Sequence, residues 1–484
     1  MNTPVSPDVA AAAADSVAGA ATLGERFARL HAASRADPFP DLAARDRRLA
    51  RLETLLADNA EALADAVSRD FGHRSPAETR LAELFPSREA IRQARRELRS
   101  WLRPQSRSTS FWFLPGRSEV RWQPLGAVGI IVPWNYPIFL AVGPLVGALA
   151  AGNRALVKMS EFTPATARLF AELIAKNFAD DEVAVVEGDA SVAQEFSQLP
   201  FDHLLFTGAT SVGRLVMRAA AANLTPVTLE LGGKSPAIIG PQANFARAVE
   251  RIVVGKCLNA GQTCIAPDYV LLPQGREQEF VETARQVVAR CYPELATTPD
   301  YSSIINERHY ARLAGYVDEA LAQGAEAVPL APGVAADPAR RRLPPVLLLK
   351  VADSMRVMQD EIFGPILPLI PYRDFDEAIA FVNARPRPLA LYLFDAEGAR
   401  VERLLERTVA GGVTINDTLL HIAQDDLPFG GVGPSGIGAY HGRAGFETFS
   451  HRKSVFRQSG VNGVGLFKPP YGRLFERLLA FLMR

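Results

Sequence analysis

The stretch Val128-Gly-Ile-Ile-Val132-Pro133-Trp134-Asn135-Tyr136-Pro137 decides how the chain is read. Its first five residues are apolar and mostly β-branched, the composition of a strand buried on both faces. Two prolines bound the turn that follows, and a helical run at 141–151 comes next. The same alternation then repeats. Strand-like runs lie at 155–158, 183–186, 204–206 and 227–231, and helical runs at 165–177, 192–198 and 212–222. Strands alternating with helices predict a parallel sheet covered on both faces. Such a sheet binds ligands outside the carboxyl ends of its strands.

Upstream, residues 24–103 read as helices, and 118–123 alternate as an exposed strand. Downstream, a second α/β region runs from 234 to 413. Its strand candidates lie at 237–239, 269–272 and 366–370, with a helix at 375–383. Residues 426–442 are dense in glycine and read as loop. The expected division is a mobile tail over 1–23, a cofactor-binding domain over 24–231 with a bridging strand near 116–124, and a catalytic domain over 232–415. Residues 416–484 then return to the first domain and supply an oligomerisation arm and a C-terminal helix.

Composition narrows the function classes. The 484 residues are enough for about two or three domains. Net charge is zero, so nothing global points to nucleic acid or an anionic membrane. Arg92, Arg95, Arg96, Arg99, Arg103 and Arg107 read as a solvated helix face. Three cysteines in so long a chain fit a reducing compartment, expected to be the cytoplasm, and match neither a disulfide framework nor a zinc site. No metal site is expected. No Lys or Arg precedes Arg26, so the charged start of a signal peptide is missing. The longest apolar run, 138–152, contains Pro144 and falls short of the ~20 residues of a membrane span. Residues 473–484 place Leu474, Phe475, Leu478, Leu479 and Leu482 on one helical face, read as packing on the body or a partner subunit.

Two motifs mislead. Gly431-Val-Gly433-Pro-Ser-Gly436 fits a dinucleotide pattern but follows no strand, and reads as a tight turn. Gly233-Lys234-Ser235 looks like the end of a phosphate loop, yet position 228, where the first glycine belongs, is Thr228.

Four segments carry chemistry. Cys264 lies in Asn259-Ala-Gly-Gln-Thr-Cys264-Ile-Ala-Pro, among small residues, where a thiolate would be a strong nucleophile. Taken alone it reads first as a buried, inert cysteine. Glu230 ends an apolar strand before two glycines, where apolar neighbours would raise its pKa toward that of a useful base. Asn135 could donate its amide to an oxyanion, or simply serve a turn. Phe206-Thr-Gly208-Ala-Thr-Ser-Val-Gly213 is a strand–turn–helix whose helix start suits a phosphate.

Taken together, and with Glu361-Ile-Phe363-Gly-Pro365, Asn416-Asp-Thr418, Pro428-Phe-Gly-Gly431 and Phe446-Glu-Thr-Phe-Ser-His451, these segments resemble the aldehyde dehydrogenase superfamily from about Trp122 to Ser454. Cys264-Ile-Ala-Pro-Asp-Tyr269, Gly438-Ala-Tyr-His-Gly442 and Lys468-Pro-Pro-Tyr471 are similar to the class 3 and coniferyl aldehyde dehydrogenase branch. The resemblance implies an α/β fold with a Rossmann-type cofactor domain, a catalytic domain and a small oligomerisation arm.

It further implies NAD(P)-dependent oxidation of an aldehyde to the acid through a thiohemiacetal and thioester on Cys264. Asn135 and the Cys264 backbone N–H would hold the oxyanion, and Glu230 would activate the hydrolytic water. Cofactor positions would be Trp134, Lys158, Glu161, Gly208, Gly213, Glu361 and Phe363. Glu161 on the adenosine ribose favours NAD over NADP, although relatives of this branch use both. Position 209 is Ala209, which removes one side-chain hydrogen bond that relatives give the phosphate. The implied substrate is a cinnamyl-type aldehyde such as coniferaldehyde, with a medium- or long-chain aliphatic aldehyde second, and the implied assembly is a homodimer. Tyr136 and 419–423 are expected at the entrance. The rivals are a CoA-acylating dehydrogenase, a cysteine hydrolase, and a non-catalytic protein on the same scaffold.

Overall fold

The computed structural model describes residues 22–483. Most of the expected tail therefore lies outside the described residues. Its last two positions do not belong to a tail, because Leu23 opens the helix Leu23–Ala36 and Thr22 caps it through a reciprocal capping box with Glu25.

The helical lead-in is Leu23–Ala36, Leu42–Asp58, Ala60–Phe71, Pro76–Thr79 and Phe85–Trp101. The last two are joined by a π-helical turn, Arg80–Leu84. The arginine-rich face of Phe85–Trp101 pairs with acids of the helix Leu42–Asp58: Arg92 with Glu53, and Arg95 with both Asp46 and Glu53.

Three sheets follow. The six-stranded sheet has the order Gly436–Ile437, Val227–Glu230, His203–Thr207, Ala127–Ile131, Arg154–Lys158, Val183–Val186. All its pairings are parallel except that of Gly436–Ile437. The chain first winds outward from Ala127–Ile131 through Arg154–Lys158 to Val183–Val186. It then returns to lay His203–Thr207 on the other side of the starting strand. That reversal leaves a crevice at the carboxyl ends of Ala127–Ile131 and His203–Thr207. The apolar run around Pro144 is the helix Phe139–Ala151, buried along its whole length.

The seven-stranded sheet has the order Glu326–Pro329, Val346–Leu349, Ile366–Tyr372, Tyr269–Pro273, Pro236–Ile239, Ala390–Phe394, Gly412–Ile415. Four of these strands are additional to the sequence reading: Glu326–Pro329, Val346–Leu349, Ala390–Phe394 and Gly412–Ile415. The third sheet joins Gln105–Arg107, Arg117–Pro124 and Ser450–Arg457, antiparallel throughout. Only Trp122 is buried in its middle strand, in keeping with an exposed ribbon. The glycine-dense stretch is loop apart from Gly436–Ile437 and its last residue, Gly442, which opens the helix Gly442–Thr448, and Gly433 and Gly436 close a tight turn there. Its return pairs Gly436 with Glu230.

Candidate active site

Four strands of the six-stranded sheet deliver a sequence-selected residue at the carboxyl end. Ala127–Ile131 runs into the turn carrying Trp134 and Asn135, and Arg154–Lys158 ends on Lys158. His203–Thr207 runs into Gly208, and Val227–Glu230 ends on Glu230, so Leu231 lies just beyond the strand. From the seven-stranded sheet come the turn before Tyr269–Pro273, which carries Cys264, and the loop before Ile366–Tyr372, which carries Glu361 and Phe363.

The cysteine turn is tightly constrained. Asn259, Ala260 and Gly261 all have positive φ, at 51°, 51° and 76°. Two consecutive non-glycine residues in the left-handed region are rare and mark a functional turn held by its surroundings. A side chain at Gly261 would run into the Gly364 carbonyl, so glycine lets the cysteine turn touch the Glu361–Phe363 loop backbone to backbone. Residues 261–266 are buried apart from Cys264, which is half-buried. Burial, and then the nearby charges of Glu361 and Glu230, push its thiol above the ordinary range, while the N–H groups of Cys264 and Ile265 pull the other way. Cys257 is buried and pushed up to about 12, as an inert core thiol should be.

Asn135 is 3% exposed and fixed at both ends. Its carbonyl accepts from Arg74 Nη1 (3.0 Å) and Asn259 Nδ2 (3.1 Å), and its own Nδ2 donates to the Gln262 carbonyl (3.2 Å). One amide proton stays free, which is what an oxyanion donor needs. Beside it the hydroxyls of Tyr136 and Thr263 share a 2.7 Å hydrogen bond. Glu230 is 2% exposed, and neither carboxyl oxygen has a hydrogen-bond partner. Burial alone raises its pKa well above the carboxylate range.

Among the residues expected at the cofactor, Lys158 Nζ donates to the Gly188 carbonyl (2.7 Å) and lies 3.3 Å from the exposed Glu161 carboxylate. The helix Thr210–Ala221 begins at Ala209 without a side-chain cap, so its first N–H groups are open to an acceptor. Gly208 donates to the Glu230 carbonyl. Gly213 has a packing role, because a side chain there would press on Leu231. Glu361 is raised to about 8 by burial and by Asp268, and its Oε1 is buried without a partner. A side chain at Gly232 would overlap that carboxyl group. Trp134 packs on Phe363 (5.3 Å), His309 (5.2 Å) and Phe71 (6.2 Å). An orphaned acceptor, an uncapped helix start and a lysine aligned with a carboxylate suit a dinucleotide.

A family model described as "Aldehyde dehydrogenase family" matches residues 15–455. The chain belongs to the aldehyde dehydrogenase family. It is 55% identical over 453 residues to a probable coniferyl aldehyde dehydrogenase of Pseudomonas aeruginosa, covering 94% of each chain. Among solved structures, the substrate-bound state of Staphylococcus aureus AldH superposes with a TM-score of 0.90 at 38% identity, over 96% of this chain and all of the other. A Mycobacterium tuberculosis aldehyde dehydrogenase complexed with NAD+ gives 0.81 at 30% identity, over 91% and 90%. This aldehyde dehydrogenase uses NAD(P) to oxidise aldehydes, and the family works through a cysteine thioester.

The sequence reading missed the polar frame beneath the site. Arg74 and Glu83 form an ion pair of 2.8 Å with both side chains fully buried. Arg74 holds the Asn135 carbonyl, while Glu83 Oε2 accepts from the N–H groups of Ile138 (2.7 Å) and Phe139 (3.2 Å). Glu78 accepts from the Asn259 N–H (3.2 Å) and Ser302 Oγ (2.7 Å). Lys234, from the misleading phosphate-loop motif, pairs with Asp268 and donates to the Val357 and Asp360 carbonyls. Asp268 also accepts from the Ile362 N–H (2.9 Å), so this pair supports the Glu361 loop. Glu83→Ala strands a buried guanidinium and should lower stability by about 3–5 kcal/mol. Glu83→Gln, which keeps one acceptor, should lose less. Denaturant unfolding of the two variants checks both values.

Proposed function

We propose that Cys264 is the nucleophile, Asn135 with the Cys264 backbone N–H the oxyanion site, and Glu230 the base for hydrolysis. The observation carrying this reading is the convergence of the three residues from two sheets, with one free amide proton and one unpaired carboxyl group. The Cys264 sulfur adds to the aldehyde carbon. Asn135 Nδ2 stabilises the oxygen that becomes negative there. When bound, the nicotinamide dinucleotide accepts the hydride of the oxidation. Glu230 then takes a proton from the water that cleaves the thioester, releasing the acid and the free thiol. Trp134, Glu361 and Phe363 would hold the nicotinamide end, Gly208 and Gly213 the pyrophosphate side, and Lys158 and Glu161 the adenosine ribose. The presence of Glu230 favours water over CoA as the acyl acceptor.

The substrate is a cinnamyl-type aldehyde, coniferaldehyde first, a reading supported by the 55% identical relative that carries this name. The six-stranded sheet is the cofactor side and the seven-stranded sheet the catalytic side. The antiparallel ribbon, near which Phe111, Trp112 and Phe113 are exposed, serves as the arm of a homodimer. No described helix is long and apolar enough to cross a membrane, and three unpaired cysteines suit the cytoplasm.

The test is NADH formation at 340 nm with coniferaldehyde, benzaldehyde, hexanal and decanal, each with NAD and NADP. The expected result is the highest kcat/KM for coniferaldehyde with NAD. A best rate with decanal would move the substrate to the aliphatic class.

A further inference from the structure

The two residues that flank Cys264 are each held by a buried tyrosine. On one side the Thr263 hydroxyl shares a hydrogen bond of 2.7 Å with the Tyr136 hydroxyl. On the other the Ile265 carbonyl accepts from the Tyr392 hydroxyl at 2.5 Å. Both tyrosines are buried, Tyr392 completely. Tyr136 comes from the turn that carries Asn135, and Tyr392 from the strand Ala390–Phe394 of the seven-stranded sheet. The two hydroxyls tie the cysteine turn to elements distant from it in the chain.

Packing does not ask for the Tyr392 hydroxyl. The run Leu389-Ala-Leu-Tyr392-Leu-Phe394 is otherwise apolar. Alternation along the strand sends Leu391 and Leu393 to one face of the sheet, and Ala390, Tyr392 and Phe394 to the main core on the other. Phenylalanine would fill the same ring site. It would leave the carbonyl of Ile265, a residue 1% exposed, unpaired in the core. Among the described residues only Tyr392 donates to that carbonyl.

The link to the thiol is covalent, because Ile265 directly follows Cys264. The turn closes as the Ala266 N–H donates to the Thr263 carbonyl (2.9 Å). The N–H groups of Cys264 and Ile265 pull the thiol below where burial alone would set it, and their aim depends on how the two flanks are held. A misplacement of about 1 Å at a reacting atom costs about 10²-fold in rate. We propose that the Tyr392 hydroxyl, with the Tyr136 hydroxyl on the opposite flank, clamps the turn and so positions the Cys264 sulfur for attack on the aldehyde carbon. Both are positioning residues, since each hydroxyl is engaged by the turn. The inference rests on the nucleophile assignment given under Proposed function.

The experiment compares the wild type with Tyr392→Phe and Tyr136→Phe, using NAD and the fastest aldehyde of the panel above. In each variant the NADH burst and kcat/KM should fall about 10- to 100-fold. Thioester hydrolysis, read from the decay of the acyl-enzyme mass, should keep its rate. Alkylation by iodoacetamide reads the thiol without turnover. At Cys264 it should slow about threefold in each variant, with its pH profile moved upward, while the exposed Cys291 serves as internal reference. Tyr392→p-aminophenylalanine keeps a donor at the end of the ring and should restore both readouts on its flank. A general loss of packing would slow hydrolysis as well and would not be rescued this way. Variants on two flanks cover the failure of either to fold. A moved alkylation profile, in an enzyme whose oxidation survives Cys264→Ala, would support the clamp and remove the proposed chemistry. A burst rate and alkylation profile unchanged in the folded variants would overturn the clamp and leave the chemistry standing.

Discussion

Cys264→Ala should abolish NADH formation with every aldehyde, a loss of at least ~10⁴-fold. No other described residue can replace it. Cys257 is buried and pushed up to about 12, and Cys291 is an exposed residue of the helix Glu277–Cys291. The variant should still fold, because the thiol is a small, part-exposed group and its loss should cost about 1 kcal/mol. Cys257→Ala is the control, expected to retain activity and to lose stability through a core cavity. The resting Cys264 thiol is protonated near neutrality, since burial and two carboxyl groups hold it above the ordinary range. Addition to the aldehyde should therefore quicken as pH rises from neutral into the alkaline range, measured as the pre-steady-state burst of NADH. Wild-type turnover by Cys264→Ala would end the nucleophile assignment.

What the sequence disclosed, and what it hid, divides along chain distance. The five parallel strands of the six-stranded sheet were legible to within a residue or two, because a buried strand announces itself by a local apolar run. The residues at their ends were legible for the same reason. Strand order was not, since nothing local puts His203–Thr207 beside Ala127–Ile131. Ala390–Phe394 was missed although its run is apolar and buried throughout; it pairs with both Pro236–Ile239 and Gly412–Ile415. The buried frame was hidden more completely. Arg74 reaches Asn135, and Glu78 reaches Asn259, across 61 and 181 residues. In the sequence each is one more charge on a helical stretch.

Glu230→Gln separates the two halves of the reaction. In the proposed mechanism oxidation leaves the acyl group on Cys264, and hydrolysis then needs a base that the amide cannot supply. The variant should release about one equivalent of NADH per active site and then slow by about 10²–10⁴-fold, with the acyl-enzyme visible by intact mass spectrometry. In the proposed mechanism the working form of Glu230 is the carboxylate, while burial without a hydrogen-bond partner favours the neutral acid. Deacylation should therefore fall as pH drops through this raised pKa, well above the range of an ordinary glutamate, and the fall should vanish in Glu230→Gln. The same burial sets a stability cost of opposite sense. A carboxyl group whose pKa is higher folded than unfolded gives its full stabilisation below the unfolded value and loses it as pH rises through the folded one. The wild type should thus lose stability relative to Glu230→Gln across the window in which hydrolysis speeds up. Unfolding curves for both proteins at several pH values test this directly. Parallel curves across that window would mean that Glu230 is hydrated in solution, and its role as a desolvated base would have to be given up.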